Sequence, residues 1–396
     1  MRPYWLDIPH RPSPALAQDL KVDVVVIGAG LCGSSAALHL AQQGLSVALL
    51  EGSHIASSAT GRNAGFILQG TAERYDRAVQ VMGRERARAV HALTLQNHQA
   101  MAQAIESHGL DCQYQKRGSL QLASSAQEEA ELTAACELLN ADGFEARLIP
   151  KEDLPPALTQ TGHRLGVFLP GDGEVQPARF TRGIVRAAQQ AGCAVFEDTQ
   201  VQSLDAQRPG QVDVLTQRGH RVQASLAILA TNARAGQLSN WLVDKVDPVR
   251  GQMLATAPLP PLFSAPIYAN HGYDYWRQTP EGRVVLGGWR NLDPETEVGH
   301  EERLHPGIQE RMSDFLSRFP WEEQLQVTHR WSGTMGFSRD GLPLVGPLPG
   351  QPGALCGVGF TGHGFGFAFL AGQALAAMVQ HGEHAMCTAL DPRRLS

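Results

Sequence analysis

No run of apolar residues in this chain approaches the roughly 18 needed to cross a bilayer, so a membrane-spanning helix is not expected. Residues 1–20 carry Pro, Asp, His and Arg where an export signal would carry an apolar stretch, and a cytoplasmic setting is the expectation. A basic stripe is also missing. The net charge is −6 and the 33 Lys and Arg residues are scattered, with Arg84, Arg86 and Arg88 the densest point, reading as a solvated helix face. Nucleic acid is therefore not an expected partner. The six cysteines lack CxxC or Cys/His spacing, which excludes a zinc motif and a disulfide framework, and the 15 histidines lack acidic companions in sequence, so no metal is expected. Aromatic residues are only 6% of the chain, which makes their local concentration at Tyr268, Tyr273, Tyr275, Trp276 and Trp289 informative.

Glycine, by contrast, is abundant and placed. Residues 22–28 are a β-branched run too short for a helix and too apolar for an exposed strand, which predicts a buried parallel strand. Gly28, Gly30 and Gly33 follow in GxGxxG spacing: one for the tight turn, one for close approach of a pyrophosphate, one for packing of helix on strand. A helix over 31–43 with Gly44 to stop it, a second apolar strand over 45–50, and Glu51 complete the unit. An acid about 20 residues past such a turn suits an unphosphorylated adenosine ribose, as in FAD or NAD. The small-residue loop 57–66, with Gly61 and Gly65 around Arg62, suits backbone passing close to a ligand.

Helices are predicted over 75–108, 125–143, 178–191 and 302–319, from apolar spacing and flanking glycines. Strands are predicted over 118–123, 194–202, 211–217, 221–229, 251–256, 273–278, 283–286 and 355–358. The stretch 147–174, broken by Pro150, Pro155, Pro156 and Pro170, reads as a connecting excursion. A second glycine-dense block, 359–366, opens a last helix over 367–380. Such an entrance turns free N–H groups and a helix dipole toward an anion or ring, and one long cofactor with two ends accounts for both blocks. At 396 residues, about two domains are expected.

The blocks 22–51, 58–66, 172–177, 230–233 and 331–370 together resemble the FAD-dependent family of D-amino acid oxidase, glycine oxidase, sarcosine oxidase and γ-glutamylputrescine oxidase, the DAO family. The resemblance covers nearly the whole chain. It implies an α/β fold, α+β overall: a Rossmann-like FAD domain of the glutathione-reductase type from 1–70, 150–235 and 329–396, with a sheet-based substrate domain from 71–149 and 236–328. It implies that Gly28, Gly30, Leu31, Cys32 and Gly33 hold the pyrophosphate, that Glu51 and Gly52 meet the ribose, and that Val201 meets the adenine. Ser58, Thr60, Arg62, Asn63, Ala64 and Gly65 would run beside the flavin, with Ala230 and Thr231 near the phosphates. Gly333, Gly336, Gly359, Thr361, Gly362, His363 and Gly364 would wrap the isoalloxazine edge.

The implied chemistry is hydride transfer from the carbon beside an uncharged amine to flavin N5, then hydrolysis of the imine, with oxygen or an electron carrier as final acceptor. Departures bear on the substrate. Met335 stands where glycine and D-amino acid oxidases place an arginine for the substrate carboxylate, and Gly366 where sarcosine oxidases use a lysine. Trp331 lies near the position of the cysteine that tethers FAD in sarcosine oxidases, so a non-covalent flavin is expected. A primary or secondary amine, as in γ-glutamylputrescine oxidase, is the expected substrate, with His363, Tyr273, Trp276, Arg277 and Met335 at the reacting end and Tyr275 and Trp289 as further contacts. One alternative is an amino-acid oxidase or dehydrogenase anchored by Arg277 or Arg290, and another is an inactive flavin-binding relative. Self-association is left open.

Overall fold

The computed structural model describes residues 2–321 and 324–396. Strand Leu20–Ile27 pairs in parallel with Val47–Leu50 on one side and Arg221–Leu229 on the other, Val24 lying opposite Val47 and Leu226. All four residues of Val47–Leu50 are buried, as a parallel strand covered on both faces requires. Among the described residues the sheet has eight strands, extended by Ala194–Phe196 at one edge, and by Ala354–Val358 with Leu344–Pro347 at the other. Gln211–Thr216 and Val201–Arg208 form the antiparallel meander that returns into Arg221–Leu229.

Two helices cross over this sheet. The entry helix, Leu31–Gln42, starts directly after the Gly28–Gly30 turn, and the closing helix, Gly364–His381, starts directly after the second glycine block. Their backbones touch at Gly372, where a Cβ would lie 2.3 Å from Cys32 O and 2.6 Å from Ala36 N. That crossing sets both helix starts at the same end of the sheet, beyond the carboxyl ends of its parallel strands, where such sheets take ligands.

The second sheet runs in the order Val327–Ser338, Val246–Pro258, Arg283–Gly288, Asp274–Gln278, Ile267–Ala269, Ser119–Ala123, Leu165–Leu169, Arg147–Pro150. One of its faces is sealed by an aromatic cluster of Trp276, Phe315, Phe319 and Trp321. No helix among the described residues is long and apolar enough to cross a membrane.

Several boundaries differ from expectation, each for a local reason. The helix predicted over 75–108 is two, Tyr75–Met82 and Arg84–Ser107, because Gly83 adopts φ +83° between them. The strand predicted over 194–202 divides where Asp198 takes φ +46°, letting Asp198 N donate to Ser53 O and Thr199 N to Glu51 O. The helix predicted over 302–319 is Pro306–Leu316, capped by His305. The stretch 147–174 contributes two strands to the second sheet, its prolines falling at element ends. Val327–Ser338 pairs with Val246–Pro258 along its length, so the divisions expected at 150 and 329 both cut through the second sheet.

The N-terminal segment closes the back of the site. Trp5 Nε1 donates to Asn63 O at 2.5 Å, and Gln176 Nε2 donates to Trp5 O. His10 and His54 do acquire an acidic companion, Glu197, which sequence spacing did not show. Glu197 already accepts from Ser13 N, Ile55 N and His10 Nε2 at 2.6–2.9 Å, so the trio clasps the segment to the sheet.

Candidate active site

A cavity of about 1000 Å³ opens between the two sheets and receives both glycine-rich helix entrances. At one end lie Gly28, Gly30, Leu31 and Cys32, then Glu51 and Gly52, then Val201. The entry helix has no side-chain cap and no acid in its first turn, so its leading N–H groups face the cavity unanswered except for Leu31 N, which donates to Thr60 Oγ1 at 3.1 Å. Glu51 is held by amides: Ala29 N donates to one carboxylate oxygen and Ser53 N to the other, both at 2.9 Å. Burial pushes its pKa up, and those two hydrogen bonds oppose the rise. Gly33 does not line the cavity; it lies against the strand turn, where a Cβ would sit 1.9 Å from Gly28 O.

The loop after Glu51 forms one wall, with Ser58, Thr60, Arg62, Asn63 and Ala64 at the cavity. Arg62 is tied down: Nε donates to Ser57 O, Nη1 donates to Ser332 O, and Glu302 pairs with it at 2.7 Å. Gly65 stands behind the wall, against Val175 O and Arg277. Ala230, Thr231 and Gly333 also face the space. Gly336 and Gly359 back it, packed on Asn232 and Ser338 respectively, and Asn232 Oδ1 accepts from Gly359 N at 2.9 Å. That bond joins the turn after Arg221–Leu229 to the second glycine block.

At the far end Thr361, Gly362, His363 and Gly364 enter the closing helix, which again lacks a side-chain cap and first-turn acid. Burial holds the His363 imidazole down to about 4, so it is neutral at physiological pH. Tyr268, Tyr273, Tyr275, Met253, Met335 and Arg290 surround this end. Thr71 to Arg74, Arg77, Glu128, Glu131 and His271 form a further part of the cavity wall.

Three expected contacts are elsewhere. Trp276 is fully buried on the opposite face of its strand, against Phe263 and Phe315, because alternate strand residues point to opposite faces. Trp289 likewise enters that aromatic core beside Phe315. Arg277 shares the face of Tyr275 but is sealed behind the 58–66 loop. It pairs with Glu174 at 3.4 Å, donates to Val175 O at 2.9 Å and stacks on Trp5. Tyr268 was expected only as one of the concentrated aromatics, and Met253, Phe337 and the 71–77 wall were not singled out from sequence. They come from four separate segments, and only strand pairing brings them together.

A family model described as DAO, FAD dependent oxidoreductase, matches residues 23–378. The chain belongs to the DAO family. It is 26% identical to the probable oxidoreductase OrdL of Haemophilus influenzae over 396 residues, covering 96% of this chain and 88% of that protein. It is 25% identical to the gamma-glutamylputrescine oxidoreductase of Escherichia coli over 394 residues, covering 94% and 86%. Among solved structures, the glycine oxidase of Geobacillus kaustophilus superimposes with a TM-score of 0.78 at 22% identity, covering 92% of this chain and 96% of that one. The residues present fit the family's FAD. Thr231 Oγ1 and His363 Nδ1 are buried polar atoms without a protein partner, as expected of groups awaiting a polar ligand. Two uncapped helix starts in one elongated cavity suit a ligand with a pyrophosphate at one point and an electron-accepting ring at another.

Proposed function

We propose that this DAO-family enzyme oxidises a primary or secondary amine. Bound FAD would supply the two-electron chemistry, taking a hydride at N5 from the carbon next to the amine nitrogen and leaving an imine for water to hydrolyse. Gly28, Gly30 and the N–H group of Cys32 would hold the pyrophosphate, Glu51 the ribose, and the backbone at Val201 the adenine. Thr361 to Gly364 would meet the ring, where the closing helix dipole favours negative charge. The flavin is held non-covalently: Cys32 is the cysteine at this cavity among the described residues, and burial pushes its thiol up to about 12, which makes it a poor nucleophile. Tyr268, Tyr275 and Met335 shape the space where the amine meets the ring. The neutral His363 adds no positive charge that would repel a protonated amine on entry.

The observation that carries this reading is that both glycine blocks, more than 300 residues apart in sequence, open on a single cavity. Anaerobic mixing of the flavin-loaded protein with a panel of primary and secondary amines, with and without a carboxylate, tests it. Bleaching of the yellow flavin by at least one is expected, and a flavin that keeps its colour with all of them defeats it in favour of an inert binder. Parallel assays with dissolved oxygen and an artificial acceptor then identify the electron acceptor.

A further inference from the structure

We infer that Arg290 is the anion anchor of this active site and that the amine oxidised carries a carboxylate, making the substrate an amino acid or N-substituted amino acid. The inference rests on the amine-oxidation reading above. It begins with how the backbone aims this side chain. Strand Arg283–Gly288 ends at Gly288, where φ is +127° and a Cβ would lie 1.8 Å from Tyr273 O. Only glycine passes there. Trp289 follows in the left-handed region at φ +56°, its N–H donating to Tyr273 O at 2.8 Å and its indole entering the aromatic core. With Trp289 turned inward, Arg290 is turned into the cavity.

There its guanidinium lies between two rings, 4.8 Å from the centre of Tyr273 and 4.9 Å from that of Phe337. Stacking fixes the plane of an arginine while leaving its N–H edge free for a bidentate acceptor. No hydrogen bond or ion pair reaches that edge from any described residue. Of the other arginines at the cavity, Arg62, Arg74 and Arg339 are each paired with a carboxylate, Glu302 at 2.7 Å, Asp76 at 2.6 Å and Asp244 at 3.0 Å. Arg77 and Arg234, which have no acidic partner among the described residues, are exposed to solvent where Arg290 is half-buried. A partly buried cation with no counter-charge is costly unless an anion joins it.

The neighbouring groups agree in sign. The hydroxyls of Tyr268 and Tyr275 have no protein partner and face the same chamber, and burial drives both phenols upward, Tyr275 to about 12, so both remain donors. Among the acids that line the cavity, Glu51 lies at the entry helix, Glu131 is paired with Arg74 and Asp340 with Arg394, and Glu73 and Glu128 come from the same two segments as Arg74 and Glu131. Asp172 and Asp274, whose charges reach Tyr268 and Tyr275, do not line it. The inner chamber thus gathers donors, suited to a carboxylate. Met335 and Gly366 lack charge at the two positions where relatives place a cation, and on sequence alone that favoured a plain amine. The cation comes instead from the end of a different strand, stacked on Phe337, two residues beyond Met335 and on its face.

The test uses the flavin-loaded enzyme and matched pairs differing only by the carboxylate: both enantiomers of alanine against ethylamine, both of proline against pyrrolidine, and N-methylglycine against dimethylamine. In anaerobic stopped flow, the carboxylate member of at least one pair should bleach the flavin at least about a hundredfold faster than its partner, a lower bound for a built polar site, which rejects a ligand lacking its partner group by about 10⁴-fold. Benzoate, which cannot be oxidised, should perturb the flavin spectrum. Its affinity should fall by about thirtyfold or more in Arg290→Leu and by less in Arg290→Lys, with flavin content unchanged. Equal or faster bleaching by the amine members, or benzoate binding unaltered by Arg290→Leu, overturns the inference. Loss of flavin content in that variant also overturns it, because Arg290 would then serve the cofactor. If no member of any pair bleaches the flavin, the oxidation reading fails, and the benzoate titration still decides the role of Arg290.

Discussion

Arg277 and Arg290 extend from neighbouring strands of the second sheet, and their surroundings give them opposite work. The Arg277 guanidinium is 1% exposed as a residue and faces the equally buried Glu174, so each charge depends on the other. Removing one partner of such a pair costs about 3–5 kcal/mol, and Arg117, which also contacts Glu174, should hold the loss toward the lower figure. Arg277→Met is therefore expected to lower the thermal midpoint by several degrees while leaving benzoate affinity of the flavin-loaded protein unchanged. Thermal unfolding and a spectral titration check the two halves, and a large loss of benzoate affinity would return Arg277 to the substrate site. The sequence could place both arginines among aromatics but could not tell them apart, since Glu174 is about a hundred residues from Arg277 and nothing periodic connects them. Strand alternation could have done more. Tyr275 and Trp276 are adjacent in a strand, so they could not both face one chamber.

The entry and closing helices meet where two backbones come within reach of each other, and that crossing decides where both N-termini point. In an ordinary helix interior, glycine to alanine stabilises by about 1 kcal/mol. At Gly372 the added methyl would meet Cys32 O at 2.3 Å, Ala36 N at 2.6 Å and Ser35 Cβ at 2.6 Å, two of them main-chain atoms that cannot swing aside. Overpacking of this kind costs about 1–3 kcal/mol, which exceeds the propensity gain. Gly372→Ala should accordingly lower the melting temperature and weaken flavin retention together, whereas an unchanged or raised melting temperature would show that the helices have room to part. The helices themselves were readable because their signals are local: glycine turn, alanine-rich run, glycine stop. Strands Arg147–Pro150 and Leu165–Leu169 were not, because four or five residues between prolines carry little pattern and their pairing is with each other and with Ser119–Ala123. The crossing at Gly372 was invisible for the same reason. Its partner residues lie in the first helix of the chain.

On the scale of the molecule, the first sheet supplies one end of the cavity and the second sheet the other, so a ligand spanning the cavity ties them together. A ligand that binds only the folded state adds RT ln(1 + [L]/Kd) to stability, about 2.7 kcal/mol at a hundredfold excess over Kd. For a chain longer than 250 residues that is a shift of only a few degrees, rising with ligand concentration. Protein stripped of flavin by dialysis against a chaotropic salt should melt lower and recover on titration with FAD. The informative comparison is FMN, which keeps the ring and one phosphate but lacks the adenosine half. If Glu51, with its carboxylate fixed by Ala29 N and Ser53 N, holds a ribose, FMN at the same concentration should raise the melting temperature less than FAD. Replacing Glu51 by Gln should then narrow the gap between the two flavins by weakening FAD alone. Equal stabilisation by FMN and FAD would mean that the Gly28–Glu51 end of the cavity grips nothing, and the single long cofactor lying across both sheets would have to be given up.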